Sequence, residues 1–200
     1  MPAETLTFEV DALLFDMDGT IVNSSESVYR QWRLWAERNN LDVPTVLATM
    51  PGRRAAEVMQ IVAPHLPQPE TMNDLLAAEE KDMEGVVPIL GASELLKSIP
   101  ANRWAVVTSA THKVASLRIA AAGLPQPGVL IAADQVTHGK PNPEGFLKAA
   151  AALGADPSRC VVFEDAVAGV KAALNGGMKV IGLTTHHEAA ELAPAQCVAD

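Results

Sequence analysis

Cysteine and basic residues are both scarce in this chain. Its 200 residues include two cysteines, and 15 lysines and arginines stand against 24 aspartates and glutamates, a formal charge of −9. Cys160 and Cys197 form neither a CxxC pair nor a zinc-ligand spacing, which argues against a disulfide or zinc framework and for a reduced, cytoplasmic setting. The few basic residues do not cluster, which argues against nucleic acid and anionic membrane surfaces as partners. No apolar run approaches the roughly 18 residues that cross a bilayer. The opening stretch MPAETLTFEVDALL has no basic segment ahead of an apolar one, so no signal peptide is expected. A soluble monomer or weak dimer is the expectation.

What the chain does have is apolar material, 48 % of its residues. That is enough for one substantial domain, with or without an insert. Five short runs read as strands: Val10–Phe15, Trp104–Thr108, Val129–Ala133, Cys160–Phe163 and Val180–Leu183. Each is apolar almost throughout, the pattern of strands covered on both faces. Helical patterns at Thr111–Ala122, Pro143–Leu153 and Ala166–Asn175 separate the later runs. The alternation predicts an α/β fold with a Rossmann-like, doubly wound parallel sheet. Between the first and second runs the sequence is helical instead. In SSESVYRQWRLWAERNN, Ser24 or Ser25 can cap a helix whose Val28, Trp32, Trp35 and Ala36 share a face. Further patterns follow at Arg53–Val62 and Asn73–Met83. Residues 21–86 therefore read as an inserted α-helical cap domain, and residues 1–20 with 87–200 as the core domain.

In an open parallel sheet, side chains just beyond the carboxyl ends of strands converge at the switch point. The strand ends here supply Asp16 and Asp18 from LLFDMDGTIVN, Thr108 and Ser109, Lys140 from THGKPNP, and Glu164 with Asp165. So many carboxylates in one pocket call for a hard divalent cation, and oxygen ligands suit Mg²⁺. One lysine and hydroxyl donors beside that ion suit a phosphoryl group. DMDG could instead begin an EF-hand, but that loop needs glycine sixth and glutamate twelfth. Here glycine is fourth and Ser27 is twelfth. A plain acidic turn is the other bland reading. The hydroxyls, the lysine and the second acidic pair, each behind its own strand, argue against chance.

Taken in order, FDMDGT, VVTS, GKPNPEGF and VFEDAVAGVKAA resemble the four motifs of the haloacid dehalogenase superfamily of phosphatases. The likeness covers nearly the whole chain, and the helical insert is similar to the small cap of sugar phosphatases and β-phosphoglucomutases. WAVVTSAT and PGRRAAEV look closest to bacterial sugar-phosphate phosphatases. The resemblance implies a Mg²⁺-dependent phosphatase acting on a small phosphorylated metabolite, a sugar or polyol phosphate monoester. It implies Asp16 as the nucleophile that becomes an aspartyl-phosphate, and Asp18 as acid and then base. Lys140 would neutralise charge shared by Asp16 and phosphate, and Thr108 or Ser109 would hold a phosphoryl oxygen. Mg²⁺ would sit on the side chains of Asp16 and Asp165 and the carbonyl of Asp18, with Glu164 binding directly or one layer further out. Gly52, Arg53 and Arg54 of the insert would read the substrate. The rivals are a phosphosugar mutase using the same residues and a phospho-accepting signalling receiver, a class that lacks a cap.

Some positions depart from the superfamily's pattern. Asn23 stands where many members carry aspartate, and Glu144 replaces a common aspartate. Members usually continue beyond a position like CVAD through another strand and helix, so the chain is expected to stop short of that strand. His65, His186 and His187 are expected in exposed loops, unconnected with the acidic set. His138 is expected off the substrate, while His112 and Lys113 lie either near phosphate at a helix start or on the surface. Trp32 and Trp35 should be insert core. The insert should hinge near Val22 and Val86–Pro88.

Overall fold

The computed structural model describes residues 7–199; residues 1–6 and 200, assigned above to the core, lie outside the described residues. The chain enters on β1 (Ala12–Phe15), crosses a short strand β2 (Val22–Asn23) and forms four helices. These are α1 (Ser25–Arg38), α2 (Val43–Thr49), α3 (Ala55–Val62) and α4 (Gln68–Glu79). It returns through β3 (Val87–Pro88) and α5 (Ala92–Ser98) to β4 (Trp104–Val107), α6 (His112–Ala121), β5 (Leu130–Ile131) and α7 (Glu144–Ala152). The last elements are β6 (Cys160–Glu164), α8 (Val167–Asn175), β7 (Lys179–Leu183) and β8 (Cys197–Ala199).

Six strands form one sheet in the order β5-β4-β1-β6-β7-β8, and all its pairings are parallel. β1 lies between β4 and β6, with Leu13 opposite Trp104 on one side and Val161 on the other. Successive side chains leave opposite faces of a strand. Leu14, Val107 and Val162 therefore pack with Phe146 and Ala149 of α7 and Val170 of α8. Phe15, Trp104 and Val106 face Leu96 of α5 and Ala115 and Ile119 of α6. Helices on both sides explain why the predicted strands carry no polar alternation. Each such buried Leu or Phe contributes about 1.5–3 kcal/mol. The doubly wound parallel sheet is as expected.

Two sheet edges differ from the sequence expectation. Only Leu130 and Ile131 of the third run pair with β4. The Ala132 N–H donates to the Gln135 side chain at 2.9 Å, which draws the backbone out of the ladder into a turn at Ala133–Gln135. At the other edge the sheet has a strand that the sequence reading did not include: β8, from the CVAD segment itself, pairs with β7, Ile181 opposite Cys197. Three residues are too few to show a period, and so the strand is silent in the sequence.

Helices α1–α4 enclose their own apolar cluster of Trp32, Trp35, Val46, Val58, Met59 and Leu75, with the two indoles edge-on at 5.4 Å. α2 starts at an Asp42 cap that accepts the Thr45 N–H at 2.9 Å, with a proline in its first turn. α4 starts five residues earlier than the pattern suggests, because Pro69 fits a first turn. The two expected hinge segments lie side by side, Val22 opposite Pro88 in an antiparallel pair.

A polar knot holds α1 to the exit of the insert. Arg30 grips the Asp82 carboxylate at 2.6 and 2.8 Å, Gln31 adds a bond at 2.5 Å, and Ser27 donates to the Asp82 carbonyl at 2.6 Å. The Arg30 hydrogen bonds hold the Asp82 carboxyl down to about 2. Its stabilisation is therefore complete above the unfolded carboxylate's value near ~3.9 and is lost as pH falls through about 2. Asp82→Asn should cost roughly 1–2 kcal/mol at pH 7 and flatten the acid limb of stability, as measured by urea unfolding from pH 7 down to about 2.

Candidate active site

The carboxyl ends of β1, β4 and β6 meet because β1 sits between the other two. Past Phe15 the backbone coils tightly, and the Met17 carbonyl accepts the N–H groups of Thr20, Ile21 and Val22. Gly19 makes the turn at φ 89°. A Cβ there would lie 2.2 Å from Asp165 Oδ2, so both the conformation and the space demand glycine. The coil leaves Asp16 and Asp18 with different surroundings.

Asp16 is buried among charges. Asp16, Glu164 and Asp165 each place a carboxylate oxygen within 4.8 Å of the others, and all three are buried. Lys140 is hydrogen bonded to Asp16 Oδ1 and to Glu164 Oε2 at 2.8 Å; the other Glu164 oxygen accepts the Ala166 N–H at 3.1 Å. Burial, then the nearby Glu164, pushes the Asp16 carboxyl well above the usual range, with Lys140 opposing. Burial also raises Glu164. Burial works against the charge on Lys140, but Asp16 and Glu164 outweigh it and hold the ammonium above its usual range. Lys140, with His186 at the outer edge beside Asp165, faces three carboxylates crowded in one buried site. A hard dication fits that donor set. Asp16 and Asp165 are its best candidates, because Glu164 already has a partner on each oxygen.

Asp18 points elsewhere. Its Oδ1 accepts from Ser24 Oγ at 2.5 Å, and Arg118 Nη1 donates to its two oxygens at 3.3 and 3.1 Å. Thr108 Oγ1 accepts the Ala110 N–H at 3.1 Å, while Ser109 Oγ donates to the Gly52 carbonyl at 3.1 Å. Arg54 makes bonds to Glu57 at 2.6 and 2.8 Å and to the carbonyls of Val136 and Thr137, both at 3.2 Å. Arg53 donates to Thr49 at 2.9 Å. Asp16, Asp18, Gly52, Arg53, Arg54, Thr108, Ser109, Glu164 and Asp165 line one cavity of about 350 Å³; Lys140 lies behind Asp16 and Glu164. Lys113 bonds Glu80 on the surface at 2.5 Å, and His138 is exposed beside Glu144 at 3.3 Å.

One expectation holds only in part: His186 is in an exposed loop as expected, yet its Nδ1 lies 2.5 Å from Asp165 Oδ2 and its Nε2 lies 2.8 Å from Ser25 Oγ. The hydrogen bond to Asp165 raises its pKa. The reason is topological: His186 follows the carboxyl end of β7, next to β6 in the sheet, so the strand-end argument applies to it as well. Arg118 and Glu79 were also missed. Arg118 breaks the apolar face of α6 formed by Val114, Ala115 and Ile119, a signal visible in the sequence.

Gly169 also marks the site. Alanine within a helix is ordinarily more stable than glycine, but at this first-turn position of α8 a Cβ would lie 1.9 Å from Glu164 Oε2. Gly169→Ala should lower stability by roughly 2–4 kcal/mol by displacing a buried, paired carboxylate, a loss readable in a thermal melt.

Comparison with known proteins agrees with this geometry. A haloacid dehalogenase-like hydrolase family profile matches residues 10–177. The chain belongs to that family. It is 38 % identical over 182 residues to hexitol phosphatase A of Escherichia coli (strain K12), covering 85 % of this chain and 81 % of the relative. It is 38 % identical over 193 residues to validoxylamine A 7'-phosphate phosphatase of Streptomyces hygroscopicus subsp. limoneus, covering 91 % and 89 %. A hydrolase from Pseudomonas syringae has the same fold, with a TM-score of 0.82 at 24 % identity over 94 % of this chain and 93 % of that one. Within the family the chain is a phosphoric monoester hydrolase. No helix among the described residues is long and apolar enough to cross a membrane.

Proposed function

We propose that the protein is a Mg²⁺-dependent phosphatase that hydrolyses a small sugar or polyol phosphate through an aspartyl-phosphate on Asp16. The observation that carries this reading is the buried trio of Asp16, Glu164 and Asp165, with Lys140 on Asp16 and Glu164 and His186 on Asp165. When bound, Mg²⁺ would lower the repulsion between a carboxylate nucleophile and an anionic ester.

Asp16 attacks phosphorus, forming an oxygen–phosphorus bond as the ester oxygen departs. Asp18 protonates that oxygen, then takes a proton from the water that attacks the aspartyl-phosphate and frees Asp16. Ser24 and Arg118 hold Asp18 in place for both steps. Lys140 offsets charge on Asp16, and Glu164 keeps the ammonium there. Thr108 retains a hydroxyl proton for a phosphoryl oxygen, whereas Ser109 donates its own to Gly52. Helices α1–α4 act as the cap over the site, and Gly52, Arg53 and Arg54 form part of its wall. The leaving group of a polyol or sugar ester suits this cavity, and relatives named for a hexitol and for validoxylamine A support that class.

Chelation should lower phosphate release by at least about 100-fold, with recovery on Mg²⁺ but not on Ca²⁺, whose looser shell misplaces the reacting groups. The assay is a panel of phosphate monoesters followed by free phosphate. An isomeric sugar phosphate appearing instead of free phosphate would identify the mutase alternative.

A further inference from the structure

Arg118 does more than hold Asp18. It is 3 % exposed, and its Nη1 lies on Asp18, but its Nε and Nη2 have no hydrogen-bond partner among the described residues. Nη2 lies 3.5 Å from Oε1 of Glu79 at the end of α4, and Glu79 is itself 7 % exposed. Both residues line the same cavity as Asp18, together with Tyr29, Trp32 and Leu76. Buried guanidinium N–H groups are costly to leave unpaired, so a ligand that enters this cavity is favoured if it brings an acceptor.

We propose that Arg118 and Glu79 together read a hydroxyl of the leaving group, one or two carbons from the ester oxygen, and so select a neutral polyol. A hydroxyl is the small group that accepts and donates at once. Its oxygen takes an Arg118 N–H, and its proton goes to a Glu79 oxygen. Nη1 of the same planar fork sits on the residue that meets the ester oxygen, which places Nε and Nη2 beside the first carbons of the alcohol. A carboxylate at that point would face both Asp18 and Glu79, and an ammonium would face Arg118. The apolar wall of Tyr29, Trp32 and Leu76 covers the carbon skeleton. This inference rests on the phosphatase reading of the site and adds the class of alcohol to it.

The test compares glycerol 1-phosphate, propyl phosphate (the same chain without hydroxyls) and p-nitrophenyl phosphate, all with Mg²⁺, resolving kcat and KM. The wild-type protein should favour glycerol phosphate over propyl phosphate by at least about 30-fold in kcat/KM, since a site built to bond a hydroxyl rejects the analogue lacking it. Glu79→Met should shrink that preference to under about threefold, and Glu79→Gln, which keeps an acceptor oxygen, should restore part of it. Equal kcat/KM on the two alkyl esters in the wild type, a comparison that needs no variant, would overturn the inference, as would a preference that survives Glu79→Met. Turnover of p-nitrophenyl phosphate in those cases leaves the phosphatase reading standing. Release of phosphate from none of the three esters would overturn both.

Discussion

Asp16→Asn is expected to lower kcat by at least about 10⁴-fold, because an amide cannot act as the nucleophile and the neighbouring groups act only through it. The same change should leave the metal-free protein at least as stable as the wild type. Burial and Glu164 push the Asp16 carboxyl well above its usual range, so its ionised form opposes folding, and Lys140 keeps a partner in Glu164. A raised carboxyl pKa means that this opposition grows as pH rises above the unfolded value. The gain in the Asn variant should therefore be larger at pH 8 than at pH 5. A rise in melting temperature together with lost turnover would separate a chemical defect from a folding one. A variant that kept near wild-type turnover would remove Asp16 from the mechanism.

Asp18→Asn carries the second largest effect, a loss of about 10²–10⁴-fold in kcat. The amide oxygen in place of Oδ1 still accepts from Ser24 and from Arg118, so the side chain should stay near its place although the second Arg118 bond is lost. What disappears is the proton transfer. Esters whose leaving oxygen needs no proton should still phosphorylate Asp16, but water should then attack slowly. A burst of alcohol release equal to the enzyme concentration, followed by slow phosphate release, is the expected time course. Equal rates for the two products from the first turnover would place the proton transfers elsewhere.

Much of this site was legible in the sequence because its residues follow strands. Asp16, Thr108, Glu164 and Asp165 directly trail apolar runs that could only be buried strands, and a parallel sheet gathers such ends. Lys140 is the harder case, since it comes nine residues after the end of a two-residue strand; the motif located it where periodicity could not. Residues that depend on tertiary placement were lost. Glu79 sits at the end of a helix whose amphipathic pattern is weak, and its burial comes from facing Arg118 on a different element. His186 differs: it lies three residues past the end of β7, so the parallel sheet brings it to the same edge as the other strand ends. The edge strands β5 and β8 have two and three residues, so backbone pairing decides them and side-chain pattern does not.

The central claim is that phosphate passes through Asp16, and the most direct measurement is mass spectrometry of acid-quenched Asp18→Asn protein. The variant is mixed with Mg²⁺ and a phosphate monoester, stopped within the first turnover and digested. The account predicts one phosphoryl group on the peptide containing Asp16 at close to one per chain, absent when Asp16→Asn is added to the same protein. Phosphate released by the variant with no phosphorylated Asp16 at any quench time, or with the phosphoryl group on another residue, would contradict it.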